Sequence, residues 1–295
     1  MDINEAIKKL QKDPDIIITG PDCSDINKLR VYANGGLIGK IYIGNRSDGS
    51  TELISKGYYN KSTKDGDKFI LEKIVEKQKD PLEILVDDEY IHACKQAVEN
   101  RFGKKKNDSS VQGEKERHVQ TRIVKRFMSQ IKDWCTVDME MECPERWVIG
   151  NNFSANTTKQ PRFDMIVLNH DGVGIIELKV NNDNIENLES HYEHMEFFLT
   201  NAATQQCFLD EINRRVDILV NNGLLDGSAM DFPRDRLWCG FLFVGGELSD
   251  TKKEVVNRLS NKKCVNRLKF LYYPSFDVNK IDINSSISYK DFINN

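Results

Sequence analysis

The sequence has no long apolar run, and its cysteines form no pattern. No stretch approaches the roughly 18 consecutive apolar residues of a membrane-spanning helix, and the first five residues are too polar to begin a secretory signal. The seven cysteines are scattered with no Cys-x-x-Cys pair, which argues against a disulfide framework and against a zinc ribbon. We therefore expect a protein of the reducing cytoplasm that has no membrane partner.

The signatures of two common enzyme classes are also missing. There is no Gly-x-x-x-x-Gly-Lys-Ser/Thr loop, which argues against a built-in ATPase, and no Gly-x-Ser-x-Gly turn that would carry a hydrolase serine. Histidine is scarce, and only His191 and His194 stand close together among the five in the chain. Because no cysteine or third histidine lies at ligand spacing, we expect this pair on the surface of a helix and not in a zinc site.

The charges that are present are unevenly distributed. The net charge is −4, but residues 101–135 hold ten lysines and arginines against four acids, and residues 251–270 hold seven against one. Residues 181–200 hold five acids and neither lysine nor arginine. An acidic total with local basic stretches is typical of an enzyme that holds a polyanion in one groove, although solvated helix faces would give the same pattern.

Two domains are predicted. Residues 1–102 combine strands around the Asn34-Gly35-Gly36 turn, β character over 51–59 and helical periodicity over 69–78 and 82–102, which predicts a small α+β domain for recognition, regulation or assembly. Residues 103–113 have the composition of a linker. The second domain is predicted over residues 114–295.

The most informative feature of the second domain is a predicted β-hairpin. Two apolar segments of strand length, residues 162–168 and 173–180, flank the turn sequence Asn-His-Asp-Gly. With the loop centred on that turn, Asp164 lies opposite Glu177, and Arg162 lies opposite Lys179. Glu177 and Lys179 are two residues apart on one strand, so they share the face of Asp164.

Two carboxylates and one ammonium are therefore expected together on a mostly buried sheet, unless they follow a solvent-facing edge. Carboxylates that close repel each other and are costly to remove from water. A divalent cation removes both costs, and Mg²⁺ usually takes one or two carboxylates with waters and phosphate oxygens. Lys179 beside the cation is placed to hold a phosphate, so the set suits metal-assisted hydrolysis of a phosphodiester.

Asp164, followed after a short hairpin by Glu177-x-Lys179, resembles the motif of the PD-(D/E)xK nuclease superfamily, with Pro161 close to its leading proline. The resemblance covers residues 114–275. It implies an α/β fold with a restriction-endonuclease-like core, in which a mixed sheet of order α-β-β-β-α-β is flanked by helices. It also implies that Asp164 and Glu177 bind Mg²⁺ or Mn²⁺ with the backbone carbonyl of Leu178, and that Lys179 acts in catalysis.

The same resemblance implies further site residues. Some members carry a Glu and, four residues later, a Gln on the helix before the first core strand, and Glu116 and Gln120 have this spacing. A surface glutamate near a helix N-terminus would look the same. Gln205 or Gln206 matches a Gln that recombination-related branches carry on the helix after the catalytic strand, although the Tyr expected four residues later is missing. Nucleic-acid contacts are expected from four side chains: Gln120, Arg162, Gln205 and Arg214.

The segments around the motif complete the predicted core. Residues 136–143 alternate strictly and predict the first core strand, with Asp138, Glu140 and Glu142 on one half-exposed, solvated face. Helices are predicted over 184–199 and 201–221, where Arg214 and Arg215 face phosphate or solvent, and further strands over 237–244 and 268–273.

The function implied is that of a Mg²⁺- or Mn²⁺-dependent endonuclease that leaves 5′-phosphate and 3′-hydroxyl ends. The expected substrate is double-stranded DNA in preference to RNA, and relatives suggest a homodimer or higher oligomer and a role in restriction or antiviral defence. One alternative is a non-catalytic nucleic-acid-binding or assembly protein that retains the nuclease fold. Another is an unrelated metal-dependent phosphohydrolase acting on nucleotides.

Overall fold

The computed structural model describes residues 1–22, 25–44, 51–53, 80–102, 116–129, 131–144, 147, 161–181 and 187–294. The chain forms two compact units, an N-terminal unit of Met1–Gln112 and a C-terminal unit of Gly113–Asn295. The predicted linker at 103–113 and the predicted helix at 69–78 lie outside the described residues. Most of the segment with predicted β character at 51–59 lies outside them as well.

The N-terminal unit is an antiparallel sheet with helices, as its composition predicted. Its described strands pair in chain order, and the turn between β2 and β3 contains Asn34 and Gly35, both with positive φ. The elements are α1 (Ile3–Gln11), β1 (Ile16–Asp22), β2 (Asp25–Ala33), β3 (Gly36–Tyr42), β4 (Glu52–Leu53), α2 (Pro81–Leu85) and α3 (Asp88–Phe102).

Helix α3 packs closely against strand β3. The hydroxyl of Tyr90 donates a hydrogen bond of 2.9 Å to the backbone carbonyl of Ile38. Gly36 lies so near the helix that a Cβ atom there would come within 2.3 Å of Cγ2 of Val98. Glycine at position 36 therefore permits this close approach, whereas the positive φ values of the turn are at Asn34 and Gly35.

The C-terminal unit is a five-stranded mixed sheet with helices. The strands pair in chain order β5-β6-β7-β8-β9, with antiparallel pairing as far as β7 and parallel pairing from β7 to β9. The elements are α4 (Glu116–Ser129), β5 (Trp134–Glu142), β6 (Arg162–Asn169), β7 (Gly172–Val180), α5 (Leu188–Thr200), α6 (Ala202–Asn221), β8 (Leu237–Val244), α7 (Asp250–Asn257), β9 (Leu268–Tyr273) and α8 (Tyr289–Asn294).

The predicted hairpin is confirmed in position and in register. Strands β6 and β7 pair from Asn169 opposite Gly172 to Met165 opposite Ile176, which is the register that the turn sequence predicted. Every residue of β7 is buried, and β6 and β8 cover its two edges. Gly172 closes the turn with a φ of 117°, a conformation that few residues other than glycine adopt.

The prediction for strand β5 is wrong in one respect. Asp138, Glu140 and Glu142 do not form a solvated face, because Asp138 is completely buried and the side chain of Glu140 is only 11% exposed. The hydroxyl of Thr136 donates to the backbone of α4, whereas Asp138 is completely buried and accepts from Arg215 of α6. Glu140 has a φ of 51°, so its backbone is left-handed.

The prediction that Arg215 faces phosphate or solvent is also wrong. Its guanidinium is completely buried, with Nε 3.1 Å from Oε1 of Glu211 and a second, shorter bond from Nη1 to Asp138. A buried guanidinium requires such partners, and here they join α6 to β5. The neighbouring Arg214 is 57% exposed and pairs with Glu211.

Within the described ranges, no helix has the length and apolar character needed to cross a membrane.

Candidate active site

The predicted motif residues meet where the β6–β7 ladder ends. The last regular pair of the ladder is Met165 with Ile176. Beyond it, the backbone amide of Leu178 donates a hydrogen bond of 2.8 Å to Oδ2 of Asp164. The side chain of Asp164 thus takes the place of a backbone acceptor, and it lies beside the segment that carries Glu177 and Lys179.

Glu177 and Lys179 form a buried ion pair at the centre of the sheet. Nζ of Lys179 lies 2.8 Å from Oε1 of Glu177, and each residue is 2% exposed. They lie next to β8, where Glu177 pairs with Phe241 and Lys179 with Phe243. Both side chains are almost completely removed from water, so their charges interact strongly with others nearby.

Helix α4 brings two more polar side chains to the same place. Nε2 of Gln120 donates a hydrogen bond of 2.5 Å to the backbone carbonyl of Asp164. Gln120 is 1% exposed, so its amide serves inside the protein and is not presented at the surface as a nucleic-acid contact. Glu116 lies one helical turn earlier, and its Oε2 is buried with no hydrogen-bond partner in the part of the chain that the structure describes.

Burial and neighbouring carboxylates disfavour the ionised forms of two acids in this cluster. Burial and the nearby carboxylate of Glu177 raise the pKa of Asp164 well above its usual range. Burial is also the main cause that raises the pKa of Glu116 to about 7, against the influence of Lys179. Glu140 adds to both effects.

Lys179 and Glu177 are held in their charged forms. Burial alone would raise the pKa of Glu177, but the ammonium of Lys179 and a hydrogen bond from His191 lower it to about 2. Burial alone would lower the pKa of Lys179, but Glu177, Asp164 and Glu116 raise it above the usual value. A single ammonium therefore faces three carboxyl groups.

An arginine-lined rim adjoins this cluster. Nε of Arg162 lies 3.1 Å from Oε2 of Glu140, and Nη2 of Arg117 lies 3.9 Å from the same oxygen. Arg162 was predicted to lie opposite Lys179, but the pairing of β6 with β7 ends at Met165 and Ile176. On its other side Arg162 pairs with Glu142 of β5, and its side chain is 51% exposed. Arg117 and Glu140 were not predicted as neighbours of the site, because the alternating pattern of β5 predicted that Glu140 faces solvent.

Sequence reasoning also misplaced His191. Its Nδ1 lies 2.9 Å from Oε1 of Glu177, so it belongs to the site and not to a plain helix surface. His194 is one turn further along α5, and burial followed by the charge of His191 lowers its pKa. The His-x-x-His spacing on the helix after the motif strand was the available signal, but without a known fold it pointed only to zinc.

Two of the predicted contact residues are not drawn into this cluster. Gln205 lies half-buried in the first turn of α6, and Arg214 pairs with Glu211 on the same helix. Neither side chain makes a hydrogen bond or ion pair with Asp164, Glu177 or Lys179. Glu116, by contrast, lies close enough to Lys179 and Glu177 for their charges to affect its pKa.

The donor set can be judged for a metal. Among the described residues, no group of three or more histidine, cysteine, aspartate or glutamate side chains is arranged to hold a metal ion. Two carboxylates and a backbone carbonyl fall below that number, yet they are what Mg²⁺ commonly takes from a protein.

Comparisons with protein-family models, with curated proteins and with solved structures found no match. The chemistry of the site therefore rests on its own geometry.

Proposed function

We propose that the C-terminal unit is a metal-dependent nuclease of the PD-(D/E)xK type, which hydrolyses phosphodiester bonds of nucleic acid, with DNA favoured over RNA. The observation that carries the proposal is the meeting of Asp164, Glu177 and Lys179 at the point where β6 and β7 separate. Ordinary surface charges would not be 2% exposed, as Glu177 and Lys179 are.

The order of the elements supports a restriction-endonuclease-like core. Helix α4 precedes three antiparallel strands, and two helices then lead to β8, which pairs parallel to β7. The expected order is α-β-β-β-α-β, and this chain has one helix more between β7 and β8. The likeness is in element order and in the position of the motif on the second and third strands.

The carboxyl groups of the site fit a divalent cation. Asp164 and Glu177 would hold it, together with the backbone carbonyl of Leu178. Burial and neighbouring carboxylates raise the pKa of Asp164 and of Glu116, and Oε2 of Glu116 has no hydrogen-bond partner among the described residues, so a bound cation would favour the ionised forms of both acids. When bound, Mg²⁺ or Mn²⁺ would lower the pKa of a water and neutralise phosphate charge.

The protein side chains would then position and stabilise the reacting groups. A water oxygen forms a bond to phosphorus while the P–O3′ bond breaks, and the proton lost by the water is balanced by one gained by the 3′ oxygen. The ammonium of Lys179 would stabilise the negative charge that develops on the phosphate. Glu177 holds that ammonium in place, and Gln120 fixes the backbone of Asp164 against α4.

The proposal is tested by incubating the purified protein with linear, circular and single-stranded DNA and with RNA, in Mg²⁺, Mn²⁺ or EDTA. Lys179→Ala and Asp164→Asn are compared with Lys263→Ala, which removes an exposed lysine of the same unit. We expect metal-dependent cutting by the native chain and by Lys263→Ala, with losses of at least about 100-fold in the two site variants. Cutting of circles would identify an endonuclease.

Two other outcomes would change the conclusion. Binding of nucleic acid without cutting in any metal would favour the alternative of a non-catalytic binding protein. Equal cutting by Lys179→Ala and the native chain would remove this site from the reaction. Thermal unfolding of each variant in EDTA separates a lost function from a lost fold.

A further inference from the structure

His191 contacts the one carboxylate of the site that is held firmly ionised. Its Nδ1 lies 2.9 Å from Oε1 of Glu177, and Nζ of Lys179 lies 2.8 Å from the same oxygen. The two donors come from different elements, since Lys179 is on β7 and His191 is on α5. A carboxylate oxygen only accepts hydrogen bonds, so the hydrogen in the contact with His191 belongs to Nδ1.

This arrangement leaves the two oxygens of Glu177 in different states. Oε1 accepts from both donors, whereas Oε2 accepts no hydrogen bond among the described residues. A glutamate side chain has several rotatable bonds, and fixing it costs up to about 2 kcal/mol of conformational entropy. Lys179 is two residues from Glu177 on the same strand, so it constrains the carboxylate from one direction only; the imidazole supplies the second.

We propose that His191 is a positioning residue, which fixes the carboxylate of Glu177 through Oε1 so that Oε2 is presented to a divalent cation. The inference rests on the proposed metal-dependent function. It extends that function to a helix that the motif does not include. Hydrogen-bonded partners of metal-binding carboxylates typically contribute about 10- to 100-fold to metal affinity.

His191 as a direct metal ligand is the main alternative. For Nδ1 to bind the cation, it would have to leave Glu177, and the carboxylate would lose one of its two donors. The imidazole side chain is 28% exposed, so part of the ring reaches water. The positioning role predicts that a side chain able to donate from the place of Nδ1 can substitute for histidine; direct ligation predicts that it cannot.

The test is a titration of the metal-free, full-length protein with Mn²⁺, without nucleic acid, followed by electron paramagnetic resonance. His191→Ala removes the donor, and His191→Asn keeps an N–H near the position of Nδ1. His170→Ala is the matched control, because His170 is exposed in the turn at the opposite end of the same two strands. Circular dichroism and thermal unfolding in EDTA show whether each variant is folded.

We expect His191→Ala to weaken Mn²⁺ binding by about 10- to 100-fold, and His191→Asn and His170→Ala to stay within about 3-fold of the native chain. In nuclease assays the metal concentration for half-maximal cutting should rise to the same extent in His191→Ala, while cutting at saturating metal is largely recovered. Unchanged Mn²⁺ binding by His191→Ala would overturn the positioning role. Equal weakening in His191→Asn would overturn it in favour of direct ligation.

The two proposals fail in distinguishable ways. Absence of Mn²⁺ binding by the native chain would overturn the metal site itself, and with it the role of His191. Metal binding and cutting by the native chain, with no effect of His191→Ala on either, would overturn only the role of His191.

Discussion

The backbone amide of Leu178 donates a hydrogen bond of 2.8 Å to Oδ2 of Asp164. At this point a side chain does what a backbone carbonyl does in the rest of the β6–β7 ladder. Asp164 therefore has two tasks, since it satisfies a buried amide and supplies negative charge. Substitutions that remove one task and keep the other can separate them.

The first prediction concerns Asp164→Asn and Asp164→Leu. Asparagine keeps an acceptor for the amide of Leu178 and removes the charge that burial and Glu177 make unfavourable, as the raised pKa of Asp164 indicates. In EDTA we expect its free energy of unfolding to equal or exceed that of the native chain. Leucine leaves the amide without its partner, and we expect a loss of about 1–3 kcal/mol. Urea denaturation measures both values.

Metal-dependent cutting should be lost in both variants, since neither retains the carboxylate. Stability and cutting should thus change differently in Asp164→Asn, which should keep its free energy of unfolding and lose metal-dependent cutting. If Asp164→Asn is as unstable as Asp164→Leu, the charge of the carboxylate does not destabilise the metal-free fold.

The sequence was enough to predict the hairpin and its register, but not the surroundings of the site. The two apolar segments and the Asn-His-Asp-Gly turn constrain β6 and β7, because a short turn fixes which residues of a hairpin lie opposite each other. No comparable local rule places Glu140. Its left-handed backbone, with a φ of 51°, and its contacts with Arg162 and Arg117 belong to the tertiary structure and follow from no local pattern.

Long-range contacts explain the other differences. His191 and Glu177 are on separate elements, and the local sequence pattern of α5 does not predict which end of the sheet the helix contacts. Likewise Arg214 and Arg215 are neighbours in the sequence, yet one is exposed and the other is completely buried against Asp138. The 3.6-residue period of a helix separates them, but only the tertiary structure supplies the partner of the buried one.

The second prediction concerns pH and Glu116. Its pKa is about 7 in the folded chain, against a usual value of 4.5, because burial disfavours the charged form. The folded state thus binds this proton more tightly than the unfolded chain does. The stability that protonation of Glu116 contributes is therefore complete below about pH 4.5 and is lost as pH rises through about 7. In EDTA, native stability relative to Glu116→Gln should fall by about 3 kcal/mol between acidic and mildly alkaline pH.

Chemical denaturation across this pH range provides the measurement. Using the difference between the two chains removes contributions of other groups, such as His194, whose lowered pKa gives the opposite trend. Glu254→Gln, on an exposed position of α7, is the matched control for loss of a carboxylate. If the native and Glu116→Gln curves run parallel, Glu116 does not titrate in this range.

The third prediction concerns the buried guanidinium of Arg215. Replacing it with methionine leaves Asp138 buried without this partner, and we expect a loss of about 3–5 kcal/mol in the free energy of unfolding. Arg214→Met, next in sequence but 57% exposed, should change stability by no more than about 0.5 kcal/mol.

The double variant Asp138→Leu with Arg215→Met tests the cause of that loss. With both charges removed, much of the stability should return, since an apolar pair needs no compensation. A double variant less stable than Arg215→Met would show that packing, and not an uncompensated charge, dominates. Denaturant titrations of the native chain, Arg215→Met and the double variant give the free energies of unfolding for this comparison.

The fourth prediction concerns Arg162, whose half-exposed guanidinium lies beside Glu140 at the rim of the site. If it contacts a phosphate, Arg162→Ala should weaken binding of duplex DNA in EDTA at all sequences alike. The plot of log affinity against log salt should also become shallower by about one. Arg236→Ala is the matched control, because Arg236 is 64% exposed and precedes β8 at the end of the sheet away from Lys179. An unchanged slope for Arg162→Ala, or an equal change for Arg236→Ala, would mean that DNA does not cross this rim.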